Sequence, residues 1–209
     1  MLEKNLKNGL AELKLELSDQ QIEKLLAYLA LLVKWNKAYN LTAIREPEKM
    51  LTHHLLDSMA IAPYIQGDSI LDVGTGAGLP GIPMAITYPE KQFTLLDSNG
   101  KKTRFCQQVK MELGLDNLQV AKTRVEELEA KGGFDLITSR AFADLSLMVK
   151  LTKHLLSPSG RMAAMKGPKA EEELAPIKDQ VTDLITHKLK VPMLEGERHL
   201  LVFGLNTQD

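Results

Sequence analysis

Residues 70–86 have the sequence ILDVGTGAGLPGIPMAI, and this stretch decides the fold. Its first part, residues 70–73, is a mostly apolar run that predicts the end of a buried strand. The glycines that follow let the backbone adopt positive φ and bring its N–H groups against a ligand. Residues 79–86 predict a helix, in which proline is tolerated only near the start. A strand, a glycine turn and a helix N-terminus together predict a nucleotide-type pocket. The glycines of the turn are Gly74, Gly76, Gly78 and Gly81.

The spacing of the turn fits two classes of ligand. Residues 76–81 match G-x-G-x-x-G, and Asp97 follows about 20 residues later, as a dinucleotide site requires. We expect Asp72 to lie at the mouth of the turn, where its charge would repel a pyrophosphate and favour the ammonium and sulfonium of S-adenosylmethionine. The charge therefore favours S-adenosylmethionine over NAD or FAD. A glycine turn without any ligand remains an alternative.

The composition indicates an ordinary globular protein. The chain has 209 residues, enough for one sizeable α/β domain and a small accessory segment. A single cysteine, Cys106, excludes an internal disulfide and a cysteine-based zinc site, and we expect it to be packed as a small hydrophobe. No apolar run approaches the length of a membrane span, and the N-terminus is unlike a signal peptide. We therefore expect a cytoplasmic monomer that binds neither a membrane nor a metal.

The net charge of −1 excludes a protein that binds polyanions over its whole surface. Any contact with nucleic acid would be a local basic patch, although such patches are more often solvated faces. The candidates are Lys34 and Lys37 beside Trp35 and Tyr39; Lys101, Lys102 and Arg104; and Arg161, Lys166 and Lys169.

The N-terminal part of the chain predicts helices. Ser18 has the character of an N-cap, and the helix after it carries one apolar stripe at helical spacing. The polar turn at residues 66–68 is the plausible boundary. We expect a helical N-terminal extension, residues 1–66, and a second domain, residues 67–209, packed as one structural unit. The predicted helices cover residues 2–16, 19–38 and 46–65.

Two segments of the extension carry candidate chemistry. Residues 35–42, WNKAYNLT, would either cap a helix and pack on the next element or offer stacking and amide groups to nucleotides. His53 and Asp57 are i, i+4 neighbours on the third helix. Because no third ligand recurs at a helpful spacing, we expect a hydrogen bond between them rather than a metal site.

From residue 69 onward, short β-rich runs alternate with helices, the pattern of a parallel sheet with helices on both faces. The fold class is therefore α/β, with a sheet of about seven strands. The expected strands are residues 70–73, 93–96, 118–121, 135–139 and 160–166, with a closing antiparallel pair at 183–191 and 199–205. The expected helices between them are residues 101–113, 125–130, 145–156 and 171–180.

The candidate binding residues are those that follow the carboxyl ends of the strands, because a ligand lies across this edge of such a sheet. Asp97 could instead cap the following helix, and Glu126 could merely occupy a first turn. The nominated residues are Gly74, Gly76 and Leu79 for the methionine part of the ligand, Asp97 for the ribose hydroxyls, Val125 and Glu126 beside the adenine, and Arg140 facing the reaction.

The sequence after the fourth strand limits the chemistry. Methyl transfer from a sulfonium mainly requires alignment of two reactants and exclusion of water. Residues 139–141 are Ser-Arg-Ala, where an amine-handling motif of the Asn-Pro-Pro-Tyr kind would otherwise stand. This favours an acceptor without a proton at the reacting atom, such as the N7 atom of guanine. No catalytic residue is singled out, and Arg140 could contact the cofactor carboxylate or an RNA phosphate.

The segments DVGTGAGLPGIP, SRAFADL, WNKAYNLTAI and HHLLDS together resemble the RsmG (GidB) family of bacterial ribosomal RNA methyltransferases. The resemblance covers nearly the whole chain. It implies the Rossmann-like fold of class I S-adenosylmethionine-dependent methyltransferases, with methyl transfer to guanine N7 in the decoding-region loop of 16S rRNA, either free or in the small ribosomal subunit. Ala77 stands where family members often have proline. The family's cofactor contacts fall on Gly74, Leu79, Val125, Glu126 and Arg140.

Overall fold

The structure, a computed structural model, describes residues 1–140, 142 and 144–206. One helical segment, Leu51–Leu56, is a π-helical turn between two short α-helices. The α-helices are α1 (Leu2–Glu12), α2 (Asp19–Tyr39), α3 (Pro47–Met50), α4 (Asp57–Met59), α5 (Gly81–Thr87), α6 (Gly100–Leu113), α7 (Leu145–Thr152) and α8 (Ala170–Leu174). The strands are β1 (Ser69–Val73), β2 (Gln92–Leu96), β3 (Leu118–Ala121), β4 (Phe134–Ser139), β5 (Leu156–Lys166), β6 (Val181–Leu189) and β7 (Arg198–Leu205).

The strands form one seven-stranded sheet in the order β3-β2-β1-β4-β5-β7-β6. Strands β1 to β5 are parallel, and β7 lies antiparallel between β5 and β6. The chain order reverses between β1 and β4, which is where an open α/β sheet binds its ligand. The predicted α/β sheet of about seven strands is confirmed. The inserted antiparallel β7 distinguishes it from the six-stranded dinucleotide-binding sheet.

The extension packs on one face of the sheet. Successive strand residues point to opposite faces, so Ile70 and Leu71 enter two different apolar clusters. The Ile70 cluster includes Leu25 of α2 and Leu55 of the π-helical turn, whereas the Leu71 cluster includes Met148 of α7. Extension and sheet therefore share a core. The division at residue 66 stays a prediction.

Helix α2 fixes the position of the glycine turn. Its N-cap is Ser18, as predicted: the Ser18 hydroxyl accepts from the backbone N–H of Gln21, and the Gln21 side chain accepts from the Ser18 N–H at 2.9 Å. Gln21 Nε2 also donates to the carbonyl oxygen of Ile86 in α5 at 3.0 Å. Further along α2, the buried Tyr28 hydroxyl donates to the carbonyl oxygen of Ala77 at 2.9 Å. These contacts attach the extension to the turn.

Five predicted helices differ in the structure, and two of them, residues 2–16 and 145–156, only end earlier, at Glu12 and Thr152. Residues 46–65 form α3, the π-helical turn, α4 and a 3₁₀ turn at Ala62–Tyr64 instead of one helix. Proline ends α-helical bonding near residue 63, because it lacks an N–H and crowds the preceding turn. Of residues 125–130, only Val125–Glu127 are helical, as a 3₁₀ turn, since so short a segment does not readily nucleate an α-helix. The helix expected at 171–180 leaves the α form after Leu174, just before Pro176.

Within the residues that the structure describes, no helix is both long and apolar enough to cross a membrane.

Candidate active site

The glycine turn forms an open cradle at the end of β1. Gly74, Gly76 and Gly78 have φ values of 68°, 61° and 86°, so the predicted positive φ is confirmed for these three glycines. It is wrong for Gly81, which begins helix α5 and does not have a positive φ. A Cβ placed on Gly76 would meet only the carbonyl oxygen of Gly74, at 3.9 Å, and would project into open space. A Cβ on Gly78 would instead collide with the Ile82 side chain of α5. Glycine therefore keeps the cradle clear at residue 76 and lets helix α5 approach at residue 78.

Asp72 lies beneath the turn, so its predicted position at the mouth is wrong. The residue is 1% exposed, and its Oδ2 accepts from the Thr75 hydroxyl at 2.6 Å and from the Gly81 N–H at 2.8 Å. The turn folds back over the carboxylate because Gly81 has no Cβ, which would collide with Leu95. Asp72 thus joins the strand to the start of α5 and does not face a ligand.

Burial also changes the acidity of Asp72. Desolvation raises the pKa of its carboxyl to about 6, against a smaller lowering by the hydrogen bonds from Thr75 and Gly81. Among the described residues, no hydrogen-bond partner reaches the other buried oxygen, Oδ1. The carboxyl is therefore ionised at neutral pH only at a cost in stability.

Asp97 lies at the end of β2 and faces the cradle. Its Oδ2 accepts from the Gly76 N–H at 2.9 Å, and its Oδ1 accepts from the Asn99 N–H at 2.8 Å. Asn99, not Asp97, caps α6, because its side chain accepts from the Lys101 N–H at 2.9 Å. A carboxylate offers about four acceptor positions. Asp97 therefore keeps acceptor capacity for a ligand, and the alternative that it caps the helix is excluded.

The first pocket, of about 290 Å³, lies at the carboxyl ends of β1 and β2 and beside the 3₁₀ turn. It brings together four of the nominated residues, Gly74, Asp97, Val125 and Glu126. Apolar walls with a few convergent polar groups are typical of sites for small molecules and cofactors. The apolar walls include Val73, Leu96, Phe142 and Leu151.

The second pocket, of about 240 Å³, shares Gly74 with the first and contains the other three nominated residues, Gly76, Leu79 and Arg140. All seven therefore line one of two adjoining pockets. Thr42 of the extension also lines the second pocket, a role that the sequence did not indicate. Lys102 lines it too, although the sequence placed this lysine in a basic surface patch.

The WNKAYNLT segment shapes this pocket by packing. Asn36 donates from its side chain to the carbonyl oxygen of Ile44 at 2.9 Å and accepts from the Thr42 N–H at 2.9 Å. Trp35 packs against Phe105, with ring centroids 5.7 Å apart. These contacts agree with the interpretation in which the segment ends α2 and packs on its neighbours. Contact of the segment with nucleotides stays a prediction.

Arg140, at the end of β4, joins a cluster with the extension. Its Nη1 donates to the His53 carbonyl oxygen at 3.1 Å and pairs with Asp57 Oδ2 at 3.3 Å, while Asp57 Oδ1 accepts from Arg198 Nε at 3.2 Å. The expected His53–Asp57 hydrogen bond is wrong: His53 Nδ1 lies 2.8 Å from the Thr52 hydroxyl. The π-helical turn changes the i, i+4 register on which the expectation depended.

A third cavity, of about 330 Å³, shares Arg140 with the second pocket, and we call it the Arg198 cavity. Sequence reasoning missed Arg198, because residues 57, 140 and 198 are distant in the chain and no local motif joins them. Residues from the extension, β4, β5 and β7 line the cavity: His53, His54, Asp57, Arg140, Lys166 and Arg198.

His54 is a structural member of this wall. Its Nε2 lies 2.7 Å from the Thr42 hydroxyl. Burial, followed by the positive charge of Arg140, lowers the pKa of His54 to about 4. The ring is therefore neutral at physiological pH and supports the segment that carries Thr42.

Two further expectations concern single side chains. Lys166 is not a surface cation, since its Nζ donates to the Phe142 carbonyl oxygen at 2.7 Å and pairs with Glu173. Cys106 is buried, as predicted, and burial raises the pKa of its thiol. Within the SRAFADL motif, Ala141 and Ala143 lie outside the described residues.

Solved structures share this architecture. A SAM-dependent methyltransferase from Aquifex aeolicus has a TM-score of 0.57 and 15% identity, with 76% of this chain and 93% of that one covered. The tRNA (m1A58) methyltransferase TrmI from Aquifex aeolicus has a TM-score of 0.58 and 12% identity, over 73% and 69% of the two chains. At this identity the likeness concerns the fold alone, and it confirms the predicted class I methyltransferase sheet.

Sequence relatives are much closer. The ribosomal RNA small subunit methyltransferase G of Marinomonas sp. is 53% identical over 197 residues, covering 94% of this chain and 95% of its own. The protein of the same description from Pseudomonas aeruginosa is 52% identical over 198 residues, covering 94% and 92%. The family model GidB, rRNA small subunit methyltransferase G, matches residues 21–201. The chain therefore belongs to the GidB family of rRNA small subunit methyltransferases G.

Proposed function

We propose that this protein transfers a methyl group from S-adenosylmethionine to the N7 atom of a guanine in the decoding-region loop of 16S rRNA. Family membership supports the class of reaction. The observation that carries the proposal is the pair of adjoining pockets lined by all seven nominated residues, of which the second shares Arg140 with the Arg198 cavity. We further propose a cytoplasmic monomer that acts on 16S rRNA, free or within the small ribosomal subunit.

The residues present fit this methyl donor. Asp97 offers a carboxylate with spare acceptor positions for ribose hydroxyls, and Gly76 leaves the cradle free of any side chain. Lys102 and Arg140 line the second pocket and supply the positive charge that an amino-acid carboxylate requires. Because Asp72 lies beneath the turn, its charge no longer supports the choice of donor, and the proposal depends on the family and on these pockets.

Alignment accounts for the chemistry. When bound, S-adenosylmethionine supplies a methyl group on a positively charged sulfur. Guanine N7 carries a lone pair and no proton, so the protein need not provide a general base. His54 is neutral at physiological pH and hydrogen-bonded to Thr42, so it supports the wall and does not act as a general acid. When both reactants are already held in line, their translational and rotational entropy has been lost on binding, which lowers the barrier of the transfer step. The residues of the two pockets therefore act by orientation.

A transfer assay with labelled methyl tests the proposal. The purified protein is incubated with methyl-labelled S-adenosylmethionine and with 16S rRNA or small subunits from a strain that lacks its gene. We expect label at one guanine, which nuclease digestion and mass spectrometry should identify as 7-methylguanosine. Ribosomal RNA from the parent strain is the matched control and should accept none, because its site is already methylated. Label on another atom, or none on the deletion-strain RNA, would contradict the proposal.

A further inference from the structure

Ion pairs hold the charged side chains of the Arg198 cavity in place. Asp57, with a side chain only 6% exposed, holds Arg140 through one carboxylate oxygen and Arg198 through the other. The third cation of the cavity, Lys166, pairs with Glu173, so its charge is neutralised locally. Two guanidinium groups therefore share one carboxylate, and the cavity keeps an excess positive charge. A buried carboxylate between two arginines also fixes the planes of both groups before any ligand arrives.

We propose that the Arg198 cavity receives the target guanosine nucleotide, unstacked from the RNA, and that Arg198 binds its phosphate. This inference rests on the proposed function and assigns the part of the site where the acceptor lies.

The position of the cavity supports this occupant. Arg140 lines both the cavity and the second pocket, so ligands in the two would be neighbours. Enzymes that react with a base take it out of the stack into a closely fitting pocket, and RNA loops present bases that can be splayed out in this way. The volume of about 330 Å³ lies within the range of sites that enclose small ligands.

The state of Arg198 supports the assignment of the phosphate. Its Nε donates to Asp57, and its Nη1 donates to the Glu197 carbonyl oxygen at 3.1 Å. A guanidinium has five N–H donors, so donors remain for a ligand. The side chain is 34% exposed and therefore accessible from the cavity. Arginine binds phosphate through paired, charge-assisted hydrogen bonds, and its partly satisfied, pre-oriented group is suited to that role.

Arg198 is the residue that separates acceptor binding from cofactor binding. Arg140 lines the second pocket as well, so its loss would affect both ligands. A matched control is Lys178, an exposed residue three positions before β6. Val181 at the start of β6 pairs with Leu205, at the opposite end of β7 from Arg198. The strand rise places the two ends of β7 about 23 Å apart.

The experiment compares Arg198→Gln, Arg198→Lys and Lys178→Gln with wild type. The dissociation constant of S-adenosylmethionine is measured by calorimetry, and KM and kcat for deletion-strain 16S rRNA are measured by methyl transfer. For Arg198→Gln we expect KM for RNA to rise about tenfold or more, since a charge-assisted contact is lost, with cofactor affinity close to wild type. Arg198→Lys should recover part of the loss, and Lys178→Gln should behave like wild type.

The outcomes distinguish the two proposals. If wild type methylates no 16S rRNA, the proposed function fails and this inference fails with it. If wild type is active but Arg198→Gln matches Lys178→Gln in KM for RNA, only the phosphate assignment is overturned. A loss of cofactor affinity in Arg198→Gln would also overturn it, by placing Arg198 in the donor site. If Arg198→Gln melts early, Arg198→Lys decides. A KM for RNA below that of the glutamine variant, together with a normal melting temperature, supports a contact that requires positive charge. A KM as high as that of the glutamine variant in a stable protein overturns it.

Discussion

Replacing Asp97 with alanine should weaken the binding of S-adenosylmethionine without unfolding the protein. The carboxylate accepts from the Gly76 and Asn99 N–H groups, and its spare acceptor positions face the first pocket. Hydrogen bonds to a charged acceptor contribute roughly 1.5 to 3 kcal/mol, which corresponds to an increase of about 10- to 150-fold in the dissociation constant. The substitution also leaves the Gly76 N–H without its acceptor. That loss loosens the cradle and acts in the same direction.

Calorimetric titration with S-adenosylmethionine measures the effect, and thermal melting without ligand measures the fold. Asp97→Asn is the matched variant, because one amide oxygen can still accept from Gly76 while the charge is gone. We expect its affinity to lie between those of wild type and Asp97→Ala. If Asp97→Ala binds the cofactor as tightly as wild type, then Asp97 only supports the turn and the ribose assignment is refuted.

Three other substitutions test neighbouring parts of the site. The folded-state pKa of the Asp72 carboxyl, about 6, lies above its ordinary value of 3.8. The stability contributed by the neutral form is therefore fully present below pH 4 and is lost as pH rises through 6, a total change of about 3 kcal/mol in the free energy of unfolding. Asp72→Asn should remove this pH slope from urea-unfolding free energies measured between about pH 4 and 8. Lys102→Glu should weaken cofactor binding in calorimetry, because Lys102 lines the second pocket, whereas its exposed neighbour Lys101, changed to Glu, should leave that affinity unchanged. Gly78→Ala should lower the melting temperature, because φ is 86° and the new methyl group collides with Ile82.

Each of these three predictions has an outcome that would contradict it. A pH slope that persists in Asp72→Asn would assign the slope to another group. Equal effects of the Lys101 and Lys102 substitutions on cofactor affinity would remove Lys102 from the donor pocket. A Gly78→Ala protein as stable as wild type would mean that the turn adapts and that glycine is not required there.

The sheet and most of the candidate site were predictable because each depends on local pattern. Apolar runs of strand length, separated by helical patterns, gave the seven strands to within a few residues. Since parallel strands end at a common edge, residues just after them were expected to meet. Gly74, Asp97 and Arg140 lie at that edge.

What could not be predicted depends on long-range packing. The side on which the turn folds decides whether Asp72 faces a ligand or is covered, and the sequence around it fits both. The π-helical turn at Leu51–Leu56 gives no local signal and moves Asp57 away from His53. The contact between Asp57 and Arg198 joins residues 141 positions apart, and only the completed fold brings them together.

The shared Asp57 carboxylate links the N-terminal extension to the sheet. Asp57 comes from the extension, whereas Arg140 and Arg198 come from the sheet. A fragment that began near residue 67 would leave two guanidinium groups side by side with no counter-ion between them. It would also strip the cover from the apolar face around Ile70. We therefore expect the boundary predicted at residues 66–68 to mark a change of pattern along the chain, with the two parts packed as one unit.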